Sequence, residues 1–234
     1  MTINSEPLKH PNYVRVALQS ALAAGLCLGL PAGLLFWLIL AGKAGQSAIV
    51  DPSITYLQDN GLLSVFLVVF GSIPWSFLLA RISGYRAWWW VALASAFGIL
   101  AAWFSPLANV DGILYEQYPS LPIHINYAAS MAGLVGGVTL FVGLGYGLVL
   151  RSAKAALTLG LATSLISMLS MFLTIFVFDR FGIRVGATDF AMSKVTASGL
   201  MTSAIVGGTV LGVGFSWFVN DQRTRSFRNN LTIP

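Results

Sequence analysis

Apolar residues run along this chain in long unbroken stretches, without the alternation of a half-buried strand or the narrow stripe of a surface helix. Six stretches carry no Asp, Glu, Lys or Arg: Val16–Gly42, Asn60–Ala80, Ala87–Val110, Gln117–Leu150, Ala155–Phe178 and Val195–Asn220. A helix rises ~1.5 Å per residue, so about 20 apolar residues cross the ~30 Å hydrocarbon layer of a bilayer. Each stretch is long enough. Pro119, Pro122 and His124 trim the fourth, whose helix is expected to begin near Asn126, and Pro106 trims the far end of the third. Outer-membrane β-strands alternate over ~10 positions, and segments such as Leu161–Phe178 lack that alternation. The first stretch exceeds the roughly 7–15 residues of a signal-peptide core and is read as a retained span. The expected fold is an all-α, polytopic membrane helix bundle of about six transmembrane helices. It is read as one domain over residues 14–220, with an N-terminal tail (1–13) and a basic C-terminal tail (221–234).

Charge adds an orientation. Charged residues make up 9% of the 234 residues and hydrophobic ones 56%, against about 25% charged in a soluble domain. If the N-terminus is cytoplasmic, that side holds Lys9, Arg15, Arg81, Arg86, Arg151, Lys154, Arg223, Arg225 and Arg228, and the other holds Lys43, Arg180, Arg184 and Lys194. Nine against four is the direction of the positive-inside rule, so both termini are expected in the cytoplasm. The net charge of +5 therefore follows membrane topology and implies no nucleic acid, since the cations form no continuous stripe. Trp88, Trp89 and Trp90 follow Arg86, Trp217 precedes Asp221, and Trp103 lies at the other end of the third stretch. Indole rings favour these boundaries.

The candidate chemistry is sparse. No Asp, Glu, Lys, Arg or His falls in the middle of a predicted span, whereas an ion or proton path usually contains one. His10 and His124 lie on opposite predicted sides, and Cys27 is the single cysteine, so no metal set, haem ligand pair or internal disulfide is expected. No activated nucleophile and no phosphate loop is found. Gly143, Gly145 and Gly147 lie within a predicted helix and are read as packing. The expectation is a protein without catalytic residues, cofactor or metal.

Small and hydroxylated residues carry the positive signal. Gly25, Gly29 and Gly33 recur every four residues, as do Gly133 with Gly137 and Gly208 with Gly212, while Gly136, Thr139, Gly143 and Gly147 also keep helical spacing. Such faces let helix backbones approach closely. Thr163, Ser167, Ser170 and Thr174 form one stripe on the fifth helix, and Thr196, Gly199, Ser203 and Gly207 one face of the sixth. They read either as interhelical hydrogen bonds or as the wall of a solute path. Pro31 and Pro74 are expected to kink the first and second helices. The longer outer loops hold Tyr115, Glu116, Tyr118, His124 and Asn126, candidates for a partner or ligand surface.

Two functions fit. The first is a non-catalytic accessory or scaffolding subunit of a larger membrane complex, of respiratory or photosynthetic type, in a bacterial cytoplasmic membrane. Its partners would be the lipid bilayer and other membrane subunits. The second is a small carrier or capture subunit for a neutral or apolar solute. The six-helix layout is similar to that of the substrate-binding subunits of energy-coupling vitamin importers, a resemblance of span pattern that implies solute capture. The topology is testable. In a Cys27→Ala background, single cysteines at Ser53, Ser120 and Thr188 should react with an impermeant thiol reagent in intact cells. Reaction only after lysis would invert the orientation.

Overall fold

The computed structural model describes residues 12–34, 67–103, 122–181 and 189–231. All regular structure among them is helical. Helix α1 (Tyr13–Ala24) starts at Asn12, whose side-chain oxygen accepts from the Arg15 N–H at 3.2 Å, a standard way to satisfy a free first-turn donor. It continues through a wide turn, π1 (Gly25–Gly29), to Leu34. A second wide turn, π2 (Leu67–Ser72), leads into α2 (Ile73–Ser83). Next come α3 (Trp88–Trp103), α4 (Ile123–Val149), α5 (Ala153–Arg180) and α6 (Asp189–Leu231).

The two wide turns have one explanation. Pro31 and Pro74 each follow the end of such a turn by two residues. Proline offers no N–H and its ring crowds the carbonyl four residues back. Opening the preceding turn relieves that crowding, and the Leu30 N–H bonds to the Gly25 carbonyl, one residue further back than in an α-helix. A π turn thus precedes each proline that was expected to kink its helix, and the two turns touch one another.

Both tight turns use the same helix ending. At α2, the Tyr85 N–H reaches the Ala80 carbonyl at 2.8 Å and the Gly84 N–H reaches Arg81 at 3.3 Å. At α4, the Ser152 N–H reaches Gly147 at 3.1 Å and the Arg151 N–H reaches Leu148 at 2.9 Å. This paired closure needs a left-handed residue after the helix. Gly84 supplies it at φ +68°, and Arg151 does so at φ +54° against its own side-chain sterics. Ser152 then caps α5 by accepting from the Ala155 N–H.

The helices form a ring. Each of α1 to α6 packs on its neighbour in sequence, and α6 closes the circle onto α1 while also touching α2 and α4. The closing seam is antiparallel and lined with small residues. A methyl group on Gly29 would lie 3.2 Å from Ala204 Cβ and from Met201 Cα, and Gly33 faces Met201 and Ala197. From the other side, Gly208 sits against Ala24 and Gly212 against Ser20. Between α4 and α5, the contact is made by Gly136 on Met168, Gly143 on the Gly160 backbone and Gly147 on Ala156. Gly133 and Gly137 are buried, but the close approach to α5 runs through the other glycine row.

The outer surface is lipid-like. Val14, Leu18, Leu22, Leu26, Leu30 and Leu34 point outward from α1 at four-residue intervals, as do Leu157, Leu161, Leu165, Leu169 and Leu173 from α5. Apolar faces this continuous belong in hydrocarbon. Four helices are long and apolar enough to cross it: Tyr13–Leu34, Ile125–Val149, Ala153–Arg180 and Lys194–Phe227. The π2–α2 segment and α3 are shorter as described, and the stretches expected to extend them run into residues outside the described ones. One end of the bundle gathers Arg15, Arg81, Arg86, Arg151, Lys154 and Arg223, with the exposed Trp88, Trp89, Trp90 and Trp217 nearby. Two helix boundaries differ from expectation. Helix α4 starts at Ile123, directly after Pro122, because a proline just before the first turn costs no helix bond. Helix α6 runs past Asn220 to Leu231. No Gly or Pro interrupts residues 221–231, and Asp221 pairs with Arg225 one turn on at 3.0 Å.

The glycine seams differ in how much room they leave. A methyl on Gly143 would meet the Gly160 Cα and N at 2.7 Å, whereas one on Gly25 meets only the Ile205 side chain at 3.0 Å. Alanine gains about 1 kcal/mol of helix propensity over glycine, while overpacking against backbone costs about 1–3 kcal/mol. Gly143→Ala should therefore destabilise the protein, and Gly25→Ala should be neutral or mildly stabilising. Thermal unfolding in detergent checks the order.

Candidate functional site

A partly open cavity of about 140 Å³ lies between the helices of the ring. Leu28 and Ala32 reach it from the first helix beside π1, Ser72 and Trp75 from the junction of π2 with α2, and Ser95 and Ile99 from α3. Val138, Thr139 and Val142 line it from the middle of α4, Thr163 from α5, and Ser203, Gly207 and Leu211 from α6. The two wide turns thus open onto one space. No Asp, Glu, Lys, Arg or His is among the described residues that line it.

One wall is fixed by a buried hydrogen-bond network. The Trp75 indole N–H donates to the Tyr146 hydroxyl at 2.9 Å, and the Tyr146 and Ser95 hydroxyls are 2.7 Å apart. Ser95 also bonds the Val91 carbonyl at 2.9 Å and lies 3.2 Å from the Ser76 hydroxyl. Indole can only donate, and each hydroxyl has one proton. One arrangement satisfies every group: Trp75 to Tyr146, Tyr146 to Ser95, Ser95 to the Val91 carbonyl, and Ser76 to Ser95. Tyr146 is fully buried and meets the Phe215 ring edge-on at 5.5 Å. In hydrocarbon such groups must find partners within the protein, and here the network ties α2, α3 and α4 together.

The opposite wall is less complete. The Thr139 hydroxyl donates to its own helix and Ser203 donates to the Ser167 carbonyl at 3.3 Å. Thr163 Oγ1 is buried and has no hydrogen-bond partner, and neither has the neighbouring Ser167 Oγ. Among the described lining residues the cavity therefore presents a mostly apolar surface with an unpartnered hydroxyl at Thr163.

The structure separates the candidate residues. Gly25, Gly29, Gly33, Gly208 and Gly212 all lie on the α1–α6 seam within one chain. The α5 stripe faces α6: Ser167 rests on Gly207, and Thr174 and Thr202 share a hydrogen bond of 2.9 Å. Ser170 is half-buried and its carbonyl accepts from Thr174. Most of the stripe joins helices, and Thr163 alone of its members lines the cavity. Asn126 is on α4 with a buried side-chain oxygen that has no partner. His124 falls in the first turn of α4 with its side chain outside the described atoms, and Tyr115, Glu116 and Tyr118 lie outside the described residues. Among the described residues no group of His, Cys, Asp and Glu could hold a metal. Sequence reasoning missed the Trp75–Tyr146–Ser95 network. Its signal was present as lone polar side chains, Ser76, Ser95 and Tyr146, inside otherwise apolar runs.

No family model matches the chain, and no curated protein or solved structure is significantly similar to it.

Tyr146→Phe removes the acceptor for Trp75 and the donor to Ser95. Interhelical bonds in membranes average ~0.6 kcal/mol, and a buried donor left unmade costs about 1–3 kcal/mol. The substitution should destabilise the bundle by about 1–2 kcal/mol. Tyr146→Phe with Trp75→Phe, which deletes both partners, should lose less than the sum of the two single changes. A double-mutant cycle on thermal stability measures this.

Proposed function

We propose that this chain is a non-catalytic membrane protein of six spans, with both termini in the cytoplasm, that captures a small neutral or apolar molecule in its central cavity. The observation that carries this reading is the cavity itself, whose described lining residues are uncharged and include the unpartnered buried hydroxyl of Thr163. Apolar cavities near 150 Å³ stay dry and accept molecules the size of benzene or xenon. A ligand with one polar atom could use Thr163 and bury the rest against aliphatic walls. The absence of an ionisable group among the described lining residues favours binding or energy-independent passage over proton-coupled transport, since a proton path needs a group that titrates within it.

A second reading, an accessory subunit of a larger complex in a bacterial inner membrane, is supported by α6. The portion Thr224–Leu231 adds roughly 12 Å of helix at 1.5 Å per residue beyond the turns that Gln222 and Arg223 touch, and its Arg225 is exposed. That segment offers a docking arm outside the bilayer.

The test of the first reading uses purified protein in detergent. Benzene or xenon should raise the unfolding temperature saturably, because a ligand at 100 times its Kd adds about 2.7 kcal/mol of stability. Ala32→Leu, which fills the cavity, should abolish the effect without abolishing folding. Equal stabilisation of both proteins would place the binding elsewhere. In liposomes, neither a pH nor a sodium gradient should drive solute accumulation. Stoichiometric co-purification of other membrane chains, with no response to apolar probes, would favour the second reading.

A further inference from the structure

A second concavity, a groove of about 690 Å³, runs along the outside of the bundle between α1 and α2. At its mouth stand Arg15 and Arg81, with Gln19 beside them; its floor is built from the buried Val16 and Ala23 and the half-buried Leu78 and Ile82, and the outward-facing Leu22 and Leu26 form its edge. Both arginines are exposed and neither guanidinium makes an ion pair among the described residues. No carboxylate is among the described residues that line the groove. From Arg15 to Leu26 it follows α1 and the start of π1, about 16 Å at 1.5 Å per residue. That is the depth of one leaflet of a ~30 Å hydrocarbon layer. Two cations at the membrane boundary above an apolar channel one leaflet deep match an amphiphile with an anionic head and a hydrocarbon tail.

We infer that this groove binds one anionic phospholipid of the surrounding bilayer, of phosphatidylglycerol type, its phosphate held between Arg15 and Arg81 and an acyl chain laid over Leu22 and Leu26. A soluble anion would satisfy only the mouth, and a neutral lipid only the floor. Basic pockets between transmembrane helices recognise acidic head groups in this way.

The test is native mass spectrometry and thermal unfolding of the full chain in neutral detergent, with added phosphatidylglycerol, phosphatidylcholine or soluble glycerol phosphate. Phosphatidylglycerol should be retained at one per chain and raise the unfolding temperature, and the other two should not. Each cation near the surface is worth roughly fivefold in binding, so Arg15→Gln with Arg81→Gln should weaken retention about 25-fold. Leu26→Trp, which blocks the tail channel and leaves the charges, should also weaken it. Both changes are on the exposed surface, and equal unfolding temperatures without lipid confirm that the variants fold. Equal retention of phosphatidylcholine, equal action of glycerol phosphate, or unchanged binding by the double variant would overturn the assignment. So would tighter lipid binding by Glu6→Gln, which would make the N-terminal segment the occupant, or a lipid-excluding dimer, which would make it a second copy.

Discussion

Inside hydrocarbon, helices gain nothing by hiding apolar side chains from one another, because lipid solvates those side chains equally well. What draws them together is dispersion at short range and the few hydrogen bonds between them. The contact between α1 and α6 shows how far this chain relies on the first of these. Glycines or small residues come from both partners, Gly29 and Gly33 on one side and Gly208 and Gly212 on the other, so each backbone fits against the other's side-chain surface. The ring depends on it. Without close approach at this seam α6 could not reach α2 and α4 as well, and the cavity would open to lipid along its side.

Polar groups fix what the glycines bring close. The network of Trp75, Tyr146, Ser95 and Ser76 has one fully satisfied arrangement, which sets the register of three helices. The prolines have a complementary effect. Each forces a wider turn, the two wide turns lie side by side, and residues flanking both face the same space. The cavity thus arises where two helices cannot follow regular geometry, while its neighbouring wall is held by directional bonds. Thr163 stands between these regimes as a hydroxyl with neither a bond nor solvent.

Much of the fold was legible in the sequence. Length of apolar run, absence of charge and placement of arginines suffice for an all-helical bundle in a membrane, because those properties answer to the solvent and not to the neighbours. The small-residue faces were legible as faces, yet their partners were not. Gly25, Gly29 and Gly33 announce that something comes close, and only the three-dimensional arrangement shows that it is Met201 and Ala204 of the same chain. On α4 two glycine rows overlap in sequence, and spacing alone cannot say that Gly136, Gly143 and Gly147 meet α5. The stripe from Thr163 to Thr174 had two readings. Ser167 and Thr174 follow the hydrogen-bonding and packing one, and Thr163 follows the other, because a cavity depends on all six walls and leaves no periodic trace in any of them. The π turns were legible only as prolines, since a widened turn and a kink answer the same steric problem.

One turn of α6 carries two neighbouring side chains with matching tasks. The Gln222 amide donates to the Leu150 carbonyl at 2.5 Å, and the Arg223 guanidinium donates to the Gly84 carbonyl. Both acceptors belong to the tight turns that end α4 and α2. Helix α6 is also the last of these elements to leave the ribosome. During insertion the hairpins α2–α3 and α4–α5 can form from local contacts, but the glycine face of α1 must wait through the synthesis of about 170 residues for its partner, a long loop to close. Until then that face is turned toward lipid or toward whatever escorts nascent helices. The first helix can lean on α2 early, but the arrival of α6 covers its glycine face, closes the ring and ties down both turns in the same stroke.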